Sequence, residues 1–215
     1  MDSTTFDVYV AIDVFLLLLI GIGPKIALVP FLELTAALDS ASKARLTRKM
    51  LVTAGGVAVV LLVLGGLLTR LLHFSTAALS FAGGMILFII AVAMVRGSPI
   101  PETEHGLAIA RDPLRLAVFP LAVPYLLNPA GIVTLVTASA DAHSIAHIAI
   151  IAGLLAIVLA IDVAVFQGAK RLSGHLDESR MLVTEKVFGV LLAALAVQLA
   201  LNGLDDAGVI HLTNH

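Results

Sequence analysis

Five stretches of this sequence are apolar and almost without charge: Met50 to Thr69, Phe74 to Val95, Leu116 to Ala138, Ile145 to Phe166 and Val187 to Leu201, with Asp162 the only charge inside them. A segment of that kind belongs in hydrocarbon, where an unpaired charge costs several kcal/mol and the backbone must satisfy its own hydrogen bonds as helix. A sixth apolar run, Val8 to Leu38, is interrupted by Asp13, Lys25 and Glu33. As one straight helix it would reach about 46 Å, well beyond a 30 Å bilayer core, so it must tilt, break or run along the interface. Composition agrees, because 60% of the 215 residues are hydrophobic and 13% are charged, far from the balance of a water-soluble globule. The expectation is one all-α integral membrane unit of six transmembrane helices, with no room for a separate soluble domain.

Orientation follows from the basic residues, which are retained on the cytoplasmic side during insertion. In a six-span arrangement one side carries Lys43, Arg45, Arg48, Lys49, Arg96, Arg111, Arg115, Lys170, Arg171, Arg180 and Lys186, and the other carries Arg70 alone. Both termini fall on the poor side, with Asp2, Asp7, Asp141, Asp205 and Asp206, and are expected outside the cytoplasm. The start of the chain lacks the basic residues and cleavage motif of a secretory signal, so the first helix is expected to be retained.

An internal repeat is visible at one offset. Pro24 and Pro129 are 105 residues apart, as are Gly84 and Gly189, and the same shift pairs Leu16 with Leu121, Leu87 with Leu192, Ala91 with Ala196 and Val92 with Val197. Three spans per half would insert the second half upside down, the inverted architecture of many secondary transporters. The expected organisation is a first repeat over 1–97, a cytoplasmic linker over 98–114 and a second, inverted repeat over 115–215. Gly23-Pro24 and Asn128-Pro129 each read as the start of a new half-helix, since proline suits the first helical position and disrupts the interior. Asn128 suits a cap and Gly23 a turn. Two half-helix N-termini approaching from opposite sides would direct partial positive charge at one region, favouring an anion such as an amino-acid carboxylate.

Several stretches together resemble the MarC family of bacterial membrane proteins across nearly the whole chain: Gly23-Pro24-Lys25-Ile26-Ala27-Leu28-Val29-Pro30, Phe81-Ala82-Gly83-Gly84, Pro120-Leu121-Ala122-Val123-Pro124, Asn128-Pro129-Ala130-Gly131 and Phe188-Gly189 through Gln198 to Asn202-Gly203. The resemblance implies six spans, both ends periplasmic and a place in the bacterial inner membrane, and some relatives are regarded as transporters of small neutral amino acids. The antibiotic-resistance label in the family name is not carried over. Here Gly-Pro comes first and Asn-Pro second, the reverse of the usual family order, and Lys25 stands where the family usually has an apolar or small residue.

The expected substrate-binding residues are therefore Gly23, Pro24, Lys25, Asn128, Pro129, Ala130, Gly131 and Gln198, with Asp13 and Asp162 as candidates for coupling transport to an ion. Lys25 is read either as a partner for a substrate carboxylate or as a structural or snorkelling charge. Asp162 is read as a coupling carboxylate or as the ion-pair partner of Lys170 or Arg171. Gln198 and Asn202, four residues apart on one helix, either line a path or bond between helices. The glycine pairs at 55–56, 65–66 and 83–84 are expected to let helices pack closely. No cofactor or metal is expected, the cysteine count being zero and no metal-binding spacing being present. Transport of a small neutral amino acid or similar zwitterion is the leading function, with an ion channel or leak pathway and a non-transporting accessory protein as alternatives, and no enzyme activity expected. The expected partners are the lipid bilayer and a small-molecule substrate, and no nucleic acid; proton coupling and a homo-oligomer are left open.

Overall fold

A computed structural model describes residues 8–35, 38–96, 113–142, 144–172 and 178–211. Among them there is no strand, and the chain is an all-helical membrane protein. Four helices are long and apolar enough to cross a bilayer, and three shorter apolar helices accompany them. In chain order the elements are α1 (Val8–Gly21), α2 (Pro24–Thr35), α3 (Ser40–Leu72), α4 (Thr76–Arg96), a short α5 (Pro113–Leu116) that runs into a kinked segment (Ala117–Leu126), α6 (Pro129–Ala140), α7 (Ile145–Leu172) and α8 (Glu178–Asp206). Most of the expected linker over 98–114, residues 98–112, lies outside the described residues.

The first apolar run breaks. At 14 and 12 residues, α1 and α2 each extend only about 18–21 Å, so neither alone crosses a 30 Å core. The run from 116 to 138 breaks too, and more severely: Phe119 and Val123 are extended, the conformation imposed on a residue that precedes proline. Helices α3, α7 and α8 are longer than their apolar runs, and α4 nearly coincides with its own. Helix α3 begins ten residues before Met50, at Ser40, because Asp39 caps it: the amides of Ala41 and Ser42 donate to its Oδ2 at 3.1 and 3.3 Å. It ends at His73, whose left-handed backbone (φ 54°, ψ 33°) terminates the helix.

Packing divides into two cores. The larger joins α1, α2, α3, the kinked segment, α6 and α7, with Leu18, Phe31, Met50, Leu121, Leu135 and Phe166 in its interior. Rings of Phe31 and Phe166 meet edge to face at 5.1 Å and tie α2 to α7. The smaller core is built mainly on α4 and α8, where Leu87, Ala91, Leu192 and Ala196 interlock. Glycines permit that close approach. A Cβ on Gly84 would stand 2.7 Å from the Ala196 carbonyl oxygen, and one on Gly203 would stand 2.7 Å from that of Ala77. Lys186 closes the other end of this pair by donating to the Val95 carbonyl at 3.0 Å. Of the paired glycines, Gly65 and Gly66 pack on α6, where the Gly66 amide donates to Ser139 Oγ at 2.9 Å. Gly56 meets nothing.

Candidate functional site

The two helix breaks lie against each other. Between α1 and α2, Ile22 forms an antiparallel bridge with Leu127, the residue that precedes the start of α6. The Asn128 amide donates to the Gly21 carbonyl at 2.9 Å, and its side-chain NH2 donates to the Ile20 carbonyl at 2.9 Å. Those carbonyls belong to the last turn of α1, which has no helical N–H donors beyond the break, so Asn128 supplies what the broken helix lacks. Its side-chain oxygen accepts from the Gly131 amide at 3.1 Å and caps α6. Backbones touch here: a Cβ on Gly21 would overlap Gly131, and one on Gly131 would overlap the Gly21 carbonyl. Only glycine at both positions allows the crossing.

Beyond the crossing, along α6, a cleft of about 550 Å3 opens between α1, α4, α6, α7 and α8. Apolar walls come from residues such as Val10, Val14, Val133 and Leu199. The polar lining is Ser80, Thr134, Thr137 and Asn202, with His147, Asp141 and Asp206 at the ends of their helices. Thr134 is occupied by its own helix, its hydroxyl donating to the Ala130 carbonyl at 2.9 Å. Thr137 Oγ1 is buried and has no hydrogen-bond partner. Gln198 donates to the Asn202 side-chain oxygen at 2.7 Å, leaving the Asn202 NH2 as a donor on the cleft wall. The arrangement offers a small solute hydroxyl and amide groups within apolar surroundings, and two carboxylates towards the helix ends.

The expected site residues distribute unevenly. Gly23, Asn128, Pro129, Ala130 and Gly131 are buried and Pro24 half-buried, and this whole crossing is filled by chain. None of them, nor Lys25 or Gln198, lines the cleft. Lys25 is exposed on α2 and has neither a hydrogen bond nor an ion pair among the described residues; Asp13 is exposed on α1. Asp162 is fully buried on α7, and neither carboxylate oxygen has a partner. The side chains of Lys170 and Arg171, its expected ion-pair partners, lie outside the described ones, as does that of Glu33. Among the described residues no group of three His, Asp or Glu is placed to hold a metal.

Sequence reasoning passed over Ser80, Thr134 and Thr137. The two threonines are three apart, which puts them on one face of α6, and that was the signal in an otherwise apolar run. Ser80 carried no signal, being a single small residue brought to the cleft by the packing of α4.

Residues 8–207 match the family described as MarC family integral membrane protein. The chain is 28% identical over 206 residues to the UPF0056 membrane protein YvbG of Bacillus subtilis, covering 93% of this chain and 94% of that one. A UPF0056 membrane protein of Pyrococcus horikoshii is 30% identical over 192 residues, 87% and 90% of the two chains. UPF0056 membrane protein YhcE of Escherichia coli is 25% identical over 211 residues, 95% and 96% of the two. No solved structure matches the chain.

Proposed function

The chain belongs to the MarC family of integral membrane proteins, and from that premise we propose that it is a secondary transporter of a small neutral amino acid or similar zwitterion, held in the bacterial inner membrane as two inverted halves of three spans each. One observation carries the reading: a cleft lined by hydroxyls and an amide lies along α1 and α6 within about a turn of the crossing of two broken helices, with Leu17 and Val133 its lining residues nearest to Gly21 and Gly131. Discontinuous helices that meet at the midplane beside a polar cavity are how transporters build a substrate site without exposing backbone to lipid. Helix packing supports the halves. Leu87 and Ala91 on α4 share a core with Leu192 and Ala196 on α8, their counterparts at the 105-residue offset, and the prolines that open α2 and α6 are related by the same offset.

In this arrangement α1 and α2 together make the first span, and α5, the kinked segment and α6 together make the fourth. The cleft lies at the ends of α6 and α8 marked by Asp141 and Asp206, the face poor in Lys and Arg, so it opens outside the cytoplasm. The crossed breaks at Gly21–Gly131, filled by chain beyond the lining residues Leu17 and Val133, form the barrier to passage. Substrate is held by Thr137 and Asn202, with the acids near the mouth suited to an ammonium group. The residues of the crossing, Gly23 to Lys25 and Asn128 to Gly131, act as the moving barrier rather than as direct ligands.

The test is exchange of labelled glycine, alanine or serine by purified protein in liposomes, beside thermal stabilisation by the same solutes, since a ligand that binds only the folded state raises its melting temperature. Exchange that saturates and is weakened in Thr137→Val is the expected result. Absence of both exchange and stabilisation for all three would overturn the reading, and steady single-channel currents would replace it with a pore.

A further inference from the structure

Helix α7 buries one stripe along its length, Ile151, Leu155, Val158, Asp162, Phe166 and Ala169, and a carboxylate sits in the middle of it. Asp162 is 0% exposed, and neither of its oxygens has a hydrogen-bond partner. An aliphatic residue would fill this place without the desolvation that an acid incurs. A structural acid in a membrane protein is held by a cation or by donors, and among the described residues Asp162 has neither.

The surroundings show what it can interact with. The helices packed on α7 are α1, α2 and α3. From α1 the only described titratable side chain is Asp13, exposed. From α2 it is Lys25, also exposed, with Glu33 beyond the described side chains. Helix α3 carries Lys43, Arg45, Arg48, Lys49 and Arg70, and none belongs to its buried face of Leu46, Thr47, Met50, Ala54, Ala58, Leu62 and Gly65. A stable ion pair is therefore not available from any packed helix among the described residues.

Position supplies the function. The Phe31–Phe166 contact sets α2 beside α7, and Val14 and Ile151 share the cleft, so the two strands of helix run in the same direction. One turn back from that contact, Asp162 stands level with Ala27, in the opening turn of α2, about one turn past the break on the side away from the cleft. It lies behind the barrier that the crossing forms. A displacement of α2 at its break is the movement that would admit water to this carboxyl.

Resting on the transport reading above, we propose that Asp162 is the proton-carrying group of the transport cycle: it is a neutral carboxylic acid while buried behind the crossed breaks, and it releases its proton to water when α2 moves away. The step balances as carboxyl to carboxylate plus one proton delivered to solvent, with the reverse on reloading. A sodium ion, as a hard cation, takes several oxygen ligands, and no second carboxylate among the described residues joins Asp162 in a metal-holding group. The neighbours on its own stripe, Val158 and Phe166, are apolar.

The experiment uses full-length wild type and Asp162→Asn in liposomes, with labelled alanine as the probe. Exchange of internal for external alanine needs no net proton movement, whereas accumulation under an imposed pH gradient does. Asp162→Asn, a near-isostere of the neutral acid, is expected to exchange within about twofold of wild type and to lose the accumulation, about tenfold per pH unit for one proton per solute, that wild type reaches. Accumulation retained in the variant, or driven by a sodium gradient in wild type, overturns the proposal while leaving transport intact. Should wild type exchange no amino acid, the transport reading fails by itself and infrared difference spectra decide the proton: a protonated-carboxyl band at neutral pH in wild type, missing from Asp162→Asn, supports it, and its absence from wild type overturns it. Should Asp162→Asn not fold, Asp162→Glu replaces it. Accumulation with a displaced pH profile supports the proposal, and an unchanged profile overturns it.

Discussion

Asn128 illustrates how much one side chain does at a helix break. Its side chain closes α6 by accepting from Gly131 and closes α1 by donating to Ile20, over a sequence separation of 108. Asn128→Ala removes both bonds and leaves a buried amide and a buried carbonyl unsatisfied, so a loss of about 1–3 kcal/mol in reversible denaturation in detergent micelles is expected. Asn128→Asp keeps the acceptor but sets a carboxylate against the Ile20 carbonyl, and is expected to be the less stable of the two by the same measurement. Thr137 presents the opposite case. Because its hydroxyl bonds to nothing in the protein, Thr137→Val orphans no group, and its stability is expected within about 0.5 kcal/mol of wild type. The stabilisation by added alanine is expected to shrink in that variant, which a thermal-shift titration reads directly. Asn128 as a cap was readable from the sequence, because Asn-Pro after an apolar run is a helix start. Its second bond, to Ile20, was not, because no local pattern reports a partner 108 residues away.

Among the elements, α3 and the α4–α8 pair separate what local chemistry sets from what packing sets. Helix α3 owes its extra turns to Asp39, whose carboxyl is held below the ordinary range by hydrogen bonds from the Ser42 side chain and amide and from the Ala41 amide. A carboxyl with a lowered folded pKa adds stability that is present above its unfolded pKa and is lost as pH falls through the folded value. Amide hydrogen exchange at residues 40–43 is therefore expected to be less protected on acidification in wild type, and equally unprotected at both pH values in Asp39→Ala. In the α4–α8 pair, Gly84→Val drives a side chain into the Ala196 carbonyl and should destabilise by about 1–3 kcal/mol. Gly56→Val, with nothing within 4 Å, is the matched control and should change stability little. Glycine pairs announce close packing in the sequence, yet they do not say which member packs. Gly84 is pressed against α8 while Gly56 faces outward, and the direction of each helix face is a tertiary property. The breaks were legible for a stronger reason: a run of 31 residues cannot cross a bilayer unbroken, and Gly23-Pro24 marks where it yields.

For the whole molecule, the distribution of Lys and Arg predicts sidedness, and the absence of native cysteine makes it directly testable. Cysteine placed at Ser144, exposed between α6 and α7, is expected to react with a membrane-impermeant maleimide in intact cells. Cysteine at Ala44, exposed among the basic residues that open α3, is expected to react only after permeabilisation. The reverse pattern would invert the assignment of the cleft to the outside and of Asp162 to the inner half. By itself the sequence determined the apolar helices and their breaks, because these depend on hydrocarbon excluding charge and unpaired backbone at each point along the chain. Only the tertiary structure decided that the breaks at Gly21–Pro24 and Leu127–Pro129 fill their own crossing, that Lys25 faces outward while Asp162 is sealed inside, and that the open space lies beyond them along α6. Those outcomes depend on which faces of distant helices meet, and a helix that is apolar all round carries no record in its own sequence of the face it will bury.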